Sequence, residues 1–187
     1  MPATEHDLIY RYFASLGAGD AVELSVGDDC AILRLETGER LATSVDTLVE
    51  GVHFLPETFP EDVGYRCVAA AASDLAAVGA RPLGMTVALT LPAVDELWLH
   101  SFSEGLAAAV AEYRLPLVGG DITRGALTIA VQVLGALPAD RALLRSGARE
   151  GTPSMSPGPS GMPPAPWRSC AGSGCPRRST PSICCSG

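Results

Sequence analysis

The stretch EDVGYRCVAAAASDLAAVGARPLGMTVALTL, residues 61–91, changes its period near Gly79, and that change decides the fold class. Over residues 61–79 the side chains of Val63, Cys67, Ala71, Leu75 and Val78 recur three or four apart, the spacing of one helix face. Alanines fill the intervening positions and are small enough to let a sheet approach closely. From Leu83 to Leu91 the chain reads as a strand, ended by Pro92. Further on, Asp95 is placed to cap a second long helix with a buried stripe of Leu99, Phe102, Leu106, Val110 and Tyr113. Leu115–Val118 is a short strand running into Gly119-Gly120-Asp121, and Leu127–Leu137 is another strand. Toward the N-terminus, Cys30–Leu35 and Leu41–Val45 read as strands separated by a Thr-Gly-Glu turn. Thr4-Glu5-His6-Asp7 has the form of a capping box, opening a helix to about Leu16 that buries Leu8, Ile9, Tyr12 and Phe13. Helices and strands mix without strict βαβ alternation, so the expected fold is α+β, a mixed sheet with helices packed on one face.

The 187 residues, 47% hydrophobic with positive mean hydropathy, suit one globular domain plus a tail. Net charge is −8 and every basic residue is an arginine, an acidic balance that argues against binding nucleic acid through its phosphates. The first residues lack the basic-then-apolar pattern of a signal peptide, and no apolar run approaches the roughly 18 residues of a membrane span. Cys30 and Cys67 lie in apolar surroundings and read as reduced core cysteines of a cytoplasmic protein.

Composition breaks near Gly151. Residues 1–151 hold all 21 acidic residues and 10 arginines, whereas residues 152–187 hold three arginines, no acid, and 21 Pro, Ser or Gly in 36 positions. By composition the tail is disordered, and its four cysteines lack the paired spacing of a zinc site. Inserting one G ahead of suitable codons for Thr152–Cys170 yields DPIYVTGTLGDAAGALAVL, which alternates as a strand, turns at Gly and becomes helical. The tail is therefore read as an out-of-frame translation, with a C-terminal domain missing. Sequencing the gene tests this directly.

Four acids follow apolar runs: Asp29 in Val-Gly-Asp-Asp, Asp46 after Leu41–Val45, Asp74 in the alanine-rich helix, and Asp121 after Gly119-Gly120. No lysine competes for them. If the fold gathers them, like charges at short range require a cation, and oxygen-only ligands favour Mg²⁺ completed by substrate phosphates. Ser44 offers a neutral oxygen beside Asp46. Asp74 is either held by a cation or on the solvent side of its helix. Gly120 lets backbone approach a phosphate or metal. Arg145 can pair with phosphate or form a surface salt bridge, and His53 can contact a substrate or serve as a core or turn histidine. No P-loop, Gly-x-Ser-x-Gly or His-Glu-x-x-His motif is present.

Five segments, VGDDCAIL (26–33), TSVDTLVEGVHF (43–54), SDLAAVGARP (73–82), LVGGDITRG (117–125) and RALLRSGAREG (141–151), together resemble the thiamine-monophosphate kinase family. The restored reading DPIYVTGTLGDAAGAL is similar to that family's next segment. The resemblance implies the fold of the N-terminal domain of the aminoimidazole-ribonucleotide synthetase-like superfamily, with residues 1–151 as an ATP- and Mg-binding domain that pairs into a homodimer. It implies transfer of the ATP γ-phosphoryl group directly to thiamine monophosphate, giving thiamine diphosphate. On matching positions, Asp29, Asp46, Asp74 and Asp121 would bind several Mg²⁺ ions with Ser44 assisting. Val45 stands where some members have a hydroxyl, leaving only its backbone carbonyl. Gly120, Asp121 and Arg145 would contact ATP, and His53 the substrate. With half the cleft absent, the chain is expected to be nearly inactive. The alternatives are a non-catalytic dimerisation or Mg-nucleotide-binding remnant, and another synthetase of the same superfamily.

Overall fold

The computed structural model describes residues 4–147, so the reading of 152–187 lies outside the described residues. The N-terminal helix α1 (Glu5–Tyr12) opens on the expected capping box: Thr4 Oγ1 accepts from the Asp7 amide at 3.3 Å, and Asp7 accepts from the Thr4 amide at 2.9 Å. It is shorter than its pattern suggested. The chain passes into a 3-10 turn at Ala14–Leu16, although Leu8 and Phe13 are buried as expected.

Two short strands follow, β1 (Val22–Leu24) and β2 (Ile32–Leu33), paired antiparallel with each other. The strand expected over Cys30–Leu35 is thus only two residues long, because its partner is the equally short β1. The main sheet comprises β3 (Glu39–Val49), β4 (Arg81–Leu91), β5 (Leu117–Arg124) and β6 (Thr128–Pro138) in the order β3-β6-β4-β5. Only the β4–β5 pair is parallel, so the sheet is mixed.

Helix α2 (Pro60–Val78) starts with proline in its first turn, where the missing amide costs nothing, and carries Glu61 and Asp62 near the positive end of its dipole. Gly79 stops it in the left-handed conformation at φ 77°, returning its amide to Leu75 and Ala76 carbonyls. Val63, Cys67, Ala71 and Leu75 are buried as the period required, and α2 lies against β3, β4 and β6. Helix α3 (Glu96–Tyr113) is capped by Asp95, whose Oδ1 accepts from the Leu97 and Trp98 amides at 3.0 and 3.1 Å. It packs on α2 through reciprocal glycines. A Cβ added at Gly64 would sit 2.3 Å from the Phe102 carbonyl oxygen, and one at Gly105 would sit 2.0 Å from that of Glu61. The two helix backbones therefore touch.

Register assigns the faces. Ser44, Asp46 and Leu48 alternate with Thr43, Val45 and Thr47, and their β6 partners Val133, Val131 and Ile129 are fully buried beneath the helices. The opposite face carries exposed Leu41 and Val45 and is left open by α2 and α3. This is the α+β arrangement expected, with helices on one face.

The cysteine reading holds for one residue and not the other. Cys67 is buried in α2, and burial pushes its thiol up to about 12. Cys30 is exposed, because the turn it occupies borders a cleft rather than the core. Peptide-resolved alkylation of the native chain is expected to label Cys30 and spare Cys67 until the chain is unfolded. Equal labelling of both would contradict this packing.

Candidate functional site

Two clefts flank the sheet. The first, about 660 Å³, lies between α1, the turn at residues 26–31 and edge strand β5. It brings Asp28 and Asp29 together with Gly120 and Asp121, and Ile9 and Tyr10 of α1, with Phe13 just beyond its end, form an apolar wall. Glu5 adds a fourth carboxylate, and among the described residues no arginine lines this cleft. Asp28 follows Gly27, which is at φ 122°, and the Asp29 amide donates to the Asp28 carboxylate at 2.8 Å. Gly119-Gly120-Asp121 forms part of the strand rather than the turn expected, because the parallel ladder with β4 continues through Arg124. A Cβ at Gly120 would lie 2.0 Å from the Val87 carbonyl oxygen, so no side chain fits there. Gly120→Ala is expected to loosen the β4–β5 pair, cost about 3 kcal/mol of stability and weaken nucleotide binding; thermal melts and calorimetry measure both. An unchanged melting temperature would refute it.

The second cleft, about 530 Å³, lies beside edge strand β3 and the C-terminal half of α2. Ser44 donates to Asp74 at 2.5 Å, and Arg145 lines the same space with Leu143 and Leu144. Asp74 thus faces β3 rather than open solvent. It is half-buried and hydrogen-bonded to a hydroxyl, with an arginine in the same cleft.

The expected gathering of all four acids is not formed within one copy. Strands β3 and β5 are opposite edges of a four-stranded sheet, roughly 14 Å apart from three interstrand spacings. Asp46 is inside β3 rather than at its end, on the helix-covered face, and lines neither cleft. Asp121 stands beside Ala88 in a row of the open face. Val45 is 62% exposed on that open face, directed away from Ser44 and Asp46. His53 lies beyond both, in the turn after β3, where its Nδ1 accepts from the Val49 amide at 3.0 Å. Among the described residues no group of three His, Cys, Asp or Glu side chains could hold a metal ion.

The donor set still suits Mg²⁺. Every side-chain donor is a carboxylate or hydroxyl oxygen, and among the described residues no three of the acids are placed to hold one ion together. Mg²⁺ is usually held by one or two carboxylates, with waters and substrate phosphates completing its shell, rather than in an all-protein cage. Asp28, Asp29 and Asp121 in the first cleft and Asp74 with Ser44 in the second fit that pattern. What the sequence did not reveal is the wall of the first cleft. The amphipathic pattern of α1 marked it as packing, and nothing singled out Tyr10, which is 82% exposed at the cleft.

Residues 27–137 match the family model described as AIR synthase related protein, N-terminal domain. The chain belongs to this family. Within the AIR synthase related proteins, it is 49% identical over 152 residues to thiamine-monophosphate kinase of Salmonella typhimurium, covering 81% of this chain and 47% of that one. A crystal structure of thiamine-monophosphate kinase from Stenotrophomonas maltophilia superposes with a TM-score of 0.62 at 41% identity, covering 66% of this chain and 39% of the other. A structure described as AaThiL complexed with AMPPCP and TMP gives 0.53 at 30% identity, covering 56% and 35%. The chain spans about half the length of the curated relatives it matches. Among the described residues no helix is long and apolar enough to cross a membrane.

Proposed function

We propose that this chain supplies the ATP- and magnesium-binding part of a cytoplasmic thiamine-monophosphate kinase. The observation that carries the reading is the pairing of residues distant in sequence. Asp29 meets Gly120 and Asp121 in one cleft, and Ser44 with Asp74 meets Arg145 in the other, each set drawn from segments that resemble the kinase. The relatives named above carry that activity in their names. In the proposed reaction an oxygen of thiamine monophosphate bonds to the γ-phosphorus of ATP as the bond to the β-phosphate oxygen breaks, and ADP leaves. Such transfer asks for positioning and charge neutralisation more than covalent work.

Arg145 binds phosphate through its guanidinium, and the bare backbone at Gly120 lets the nucleotide approach the strand. Asp29, Asp46, Asp74 and Asp121 hold Mg²⁺ with help from Ser44 and the Val45 carbonyl, and His53 contacts the acceptor. When bound, Mg²⁺ neutralises developing phosphate charge. The open face of the sheet, with Leu41 and Val45 exposed, suits a second copy of the chain and hence a homodimer. Asp121, on that open face, would then face the second copy, whereas Asp46 lies on the helix-covered face.

Calorimetry of the 187-residue chain with Mg·AMPPCP, followed by a thiamine diphosphate assay with ATP and thiamine monophosphate, tests the reading. Magnesium-dependent nucleotide binding abolished by chelation is expected. Binding without product would favour the nucleotide-binding remnant, and transfer to another acceptor would favour a different synthetase. No nucleotide binding with or without Mg²⁺ would sink the proposal.

A further inference from the structure

The segment that carries Asp28 and Asp29 is fastened at its base and free at its tip. At the base, a Cβ on Gly19 would stand 2.7 Å from the Pro116 ring, and Ala21 and Leu33 pack with Leu83 and Ala136 of the main sheet. Strands β1 and β2 are its two arms and form a sheet of their own. The tip, residues 26–31, borders the first cleft, and nothing lies within 4 Å of where a Gly27 Cβ would be. Gly27 is itself at φ 122°, so the tip bends where backbone freedom is greatest. Asp28 and Asp29 line the same cleft as Asp121, yet among the described residues no three acids are placed to hold one ion. These three can close on one ion together only if the tip moves toward β5.

At the joint between base and tip stands a hydroxyl with nothing to bond. Ser25 Oγ is buried and has no hydrogen-bond partner among the described residues. It occupies the place where a Gly17 side chain would begin: a Cβ there would be 2.0 Å from Ser25 Oγ and 3.0 Å from the Leu117 carbonyl oxygen. Donor and acceptor thus flank one point, and Leu117 opens the edge strand that carries Gly120 and Asp121. A buried hydroxyl left unpaired is destabilising, and the chain with its tip open carries that destabilisation. We propose that residues 26–31 form a strap that closes on a metal-bound phosphate ligand in the first cleft, and that Ser25 is its latch, its Oγ donating to the Leu117 carbonyl once the strap is shut. This rests on the reading above that the first cleft takes Mg²⁺ and a nucleotide. Ser25 does not line the cleft. It is a positioning residue, tying the Asp28–Asp29 tip to the strand of Asp121.

Ser25→Ala removes the hydroxyl and keeps the close fit against Gly17, so it acts with opposite signs on the two states. The free 187-residue chain is expected to melt about 2–4 °C higher, because an unpaired buried donor is gone. Mg·AMPPCP affinity by calorimetry is expected to fall about fivefold to tenfold, the loss of one hydrogen bond made only in the closed state. Hydrogen exchange at the amides of residues 26–31 reads the strap itself: Mg·AMPPCP should slow it in the parent and much less in Ser25→Ala. A melting temperature of the free variant no higher than the parent's would make the hydroxyl part of the packing and overturn the latch, whatever the affinity does. Parental affinity in the variant would also overturn it, while leaving the nucleotide reading intact. Exchange at residues 26–31 that Mg·AMPPCP leaves unchanged in a parent that binds it would remove the strap. A parent that binds no Mg·AMPPCP at all would sink the nucleotide reading and the strap with it.

Discussion

Gly105→Ala is expected to lower the melting temperature of this chain more than any other single methyl group added to its helices. The new Cβ would fall 2.0 Å from the Glu61 carbonyl oxygen, 2.7 Å from its carbon and 2.9 Å from its Cα. All three are backbone atoms, so no rotamer change relieves the overlap, and α3 must retreat from α2 along a contact that also buries Leu99, Phe102 and Leu106. Overpacking of this kind costs about 3 kcal/mol or somewhat more, equivalent to a fall of roughly 6–12 °C for a domain of this size. Differential scanning fluorimetry beside a surface control such as Ala108→Gly, an exposed position where only helix propensity of about 1 kcal/mol is at stake, measures the difference. A melting temperature for Gly105→Ala at or above that of the control would show that the helices are not in backbone contact.

Asp121→Asn is expected to give the largest loss of function. Residue 121 shares the first cleft with Asp28 and Asp29 and follows Gly120, which lies against the Val87 carbonyl, so its backbone position is tightly set by β4. The substitution keeps size and hydrogen-bonding capacity while removing one negative charge. Altering partners outside the ligand shell of a metal costs 10–100-fold in affinity, so loss of a direct ligand should cost on the order of 100-fold in Mg·AMPPCP binding. Stability should change little, since Asp121 is exposed and forms no ion pair among the described residues. Calorimetry at several Mg²⁺ concentrations decides it. An affinity within about threefold of the parent, a difference too small for a lost ligand, would remove Asp121 from the metal site.

The helices were the most legible part of the sequence. Period and caps located α2 and α3 to within a residue or two, because Val63 to Leu75 and Leu99 to Tyr113 repeat without interruption and Asp95 and Gly79 mark ends by local chemistry. Strand lengths were less legible. Leu41–Val45 lengthened to Glu39–Val49 because polar Thr43, Thr47 and Asp46 are tolerated on an edge strand whose pairing to β6 is enforced by the whole ladder. Gly119-Gly120-Asp121 looked like a turn, since nothing local announces a parallel neighbour. Of the candidate site, the residue types were legible and their grouping only in part. The Ser44–Asp74 pair and the meeting of Asp29 with Asp121 depend on which strands become edges, and strand order is a long-range property. Cys30 was misplaced for a related reason, its apolar neighbours serving a cleft and not a core.

The reciprocal glycines between α2 and α3 carry one more implication. Where backbone rests on backbone, the spacing of the layers has almost no slack, because no flexible side chain lies between them to absorb a shift. Asp74 rides on the helix so held, opposite Ser44 on a strand pinned by an unbroken eleven-residue ladder. A ligand arriving there meets a preformed jaw, and little of its attraction is spent on ordering the protein. Two residues with no functional group at all thereby set the gape of that jaw from the other end of the helix.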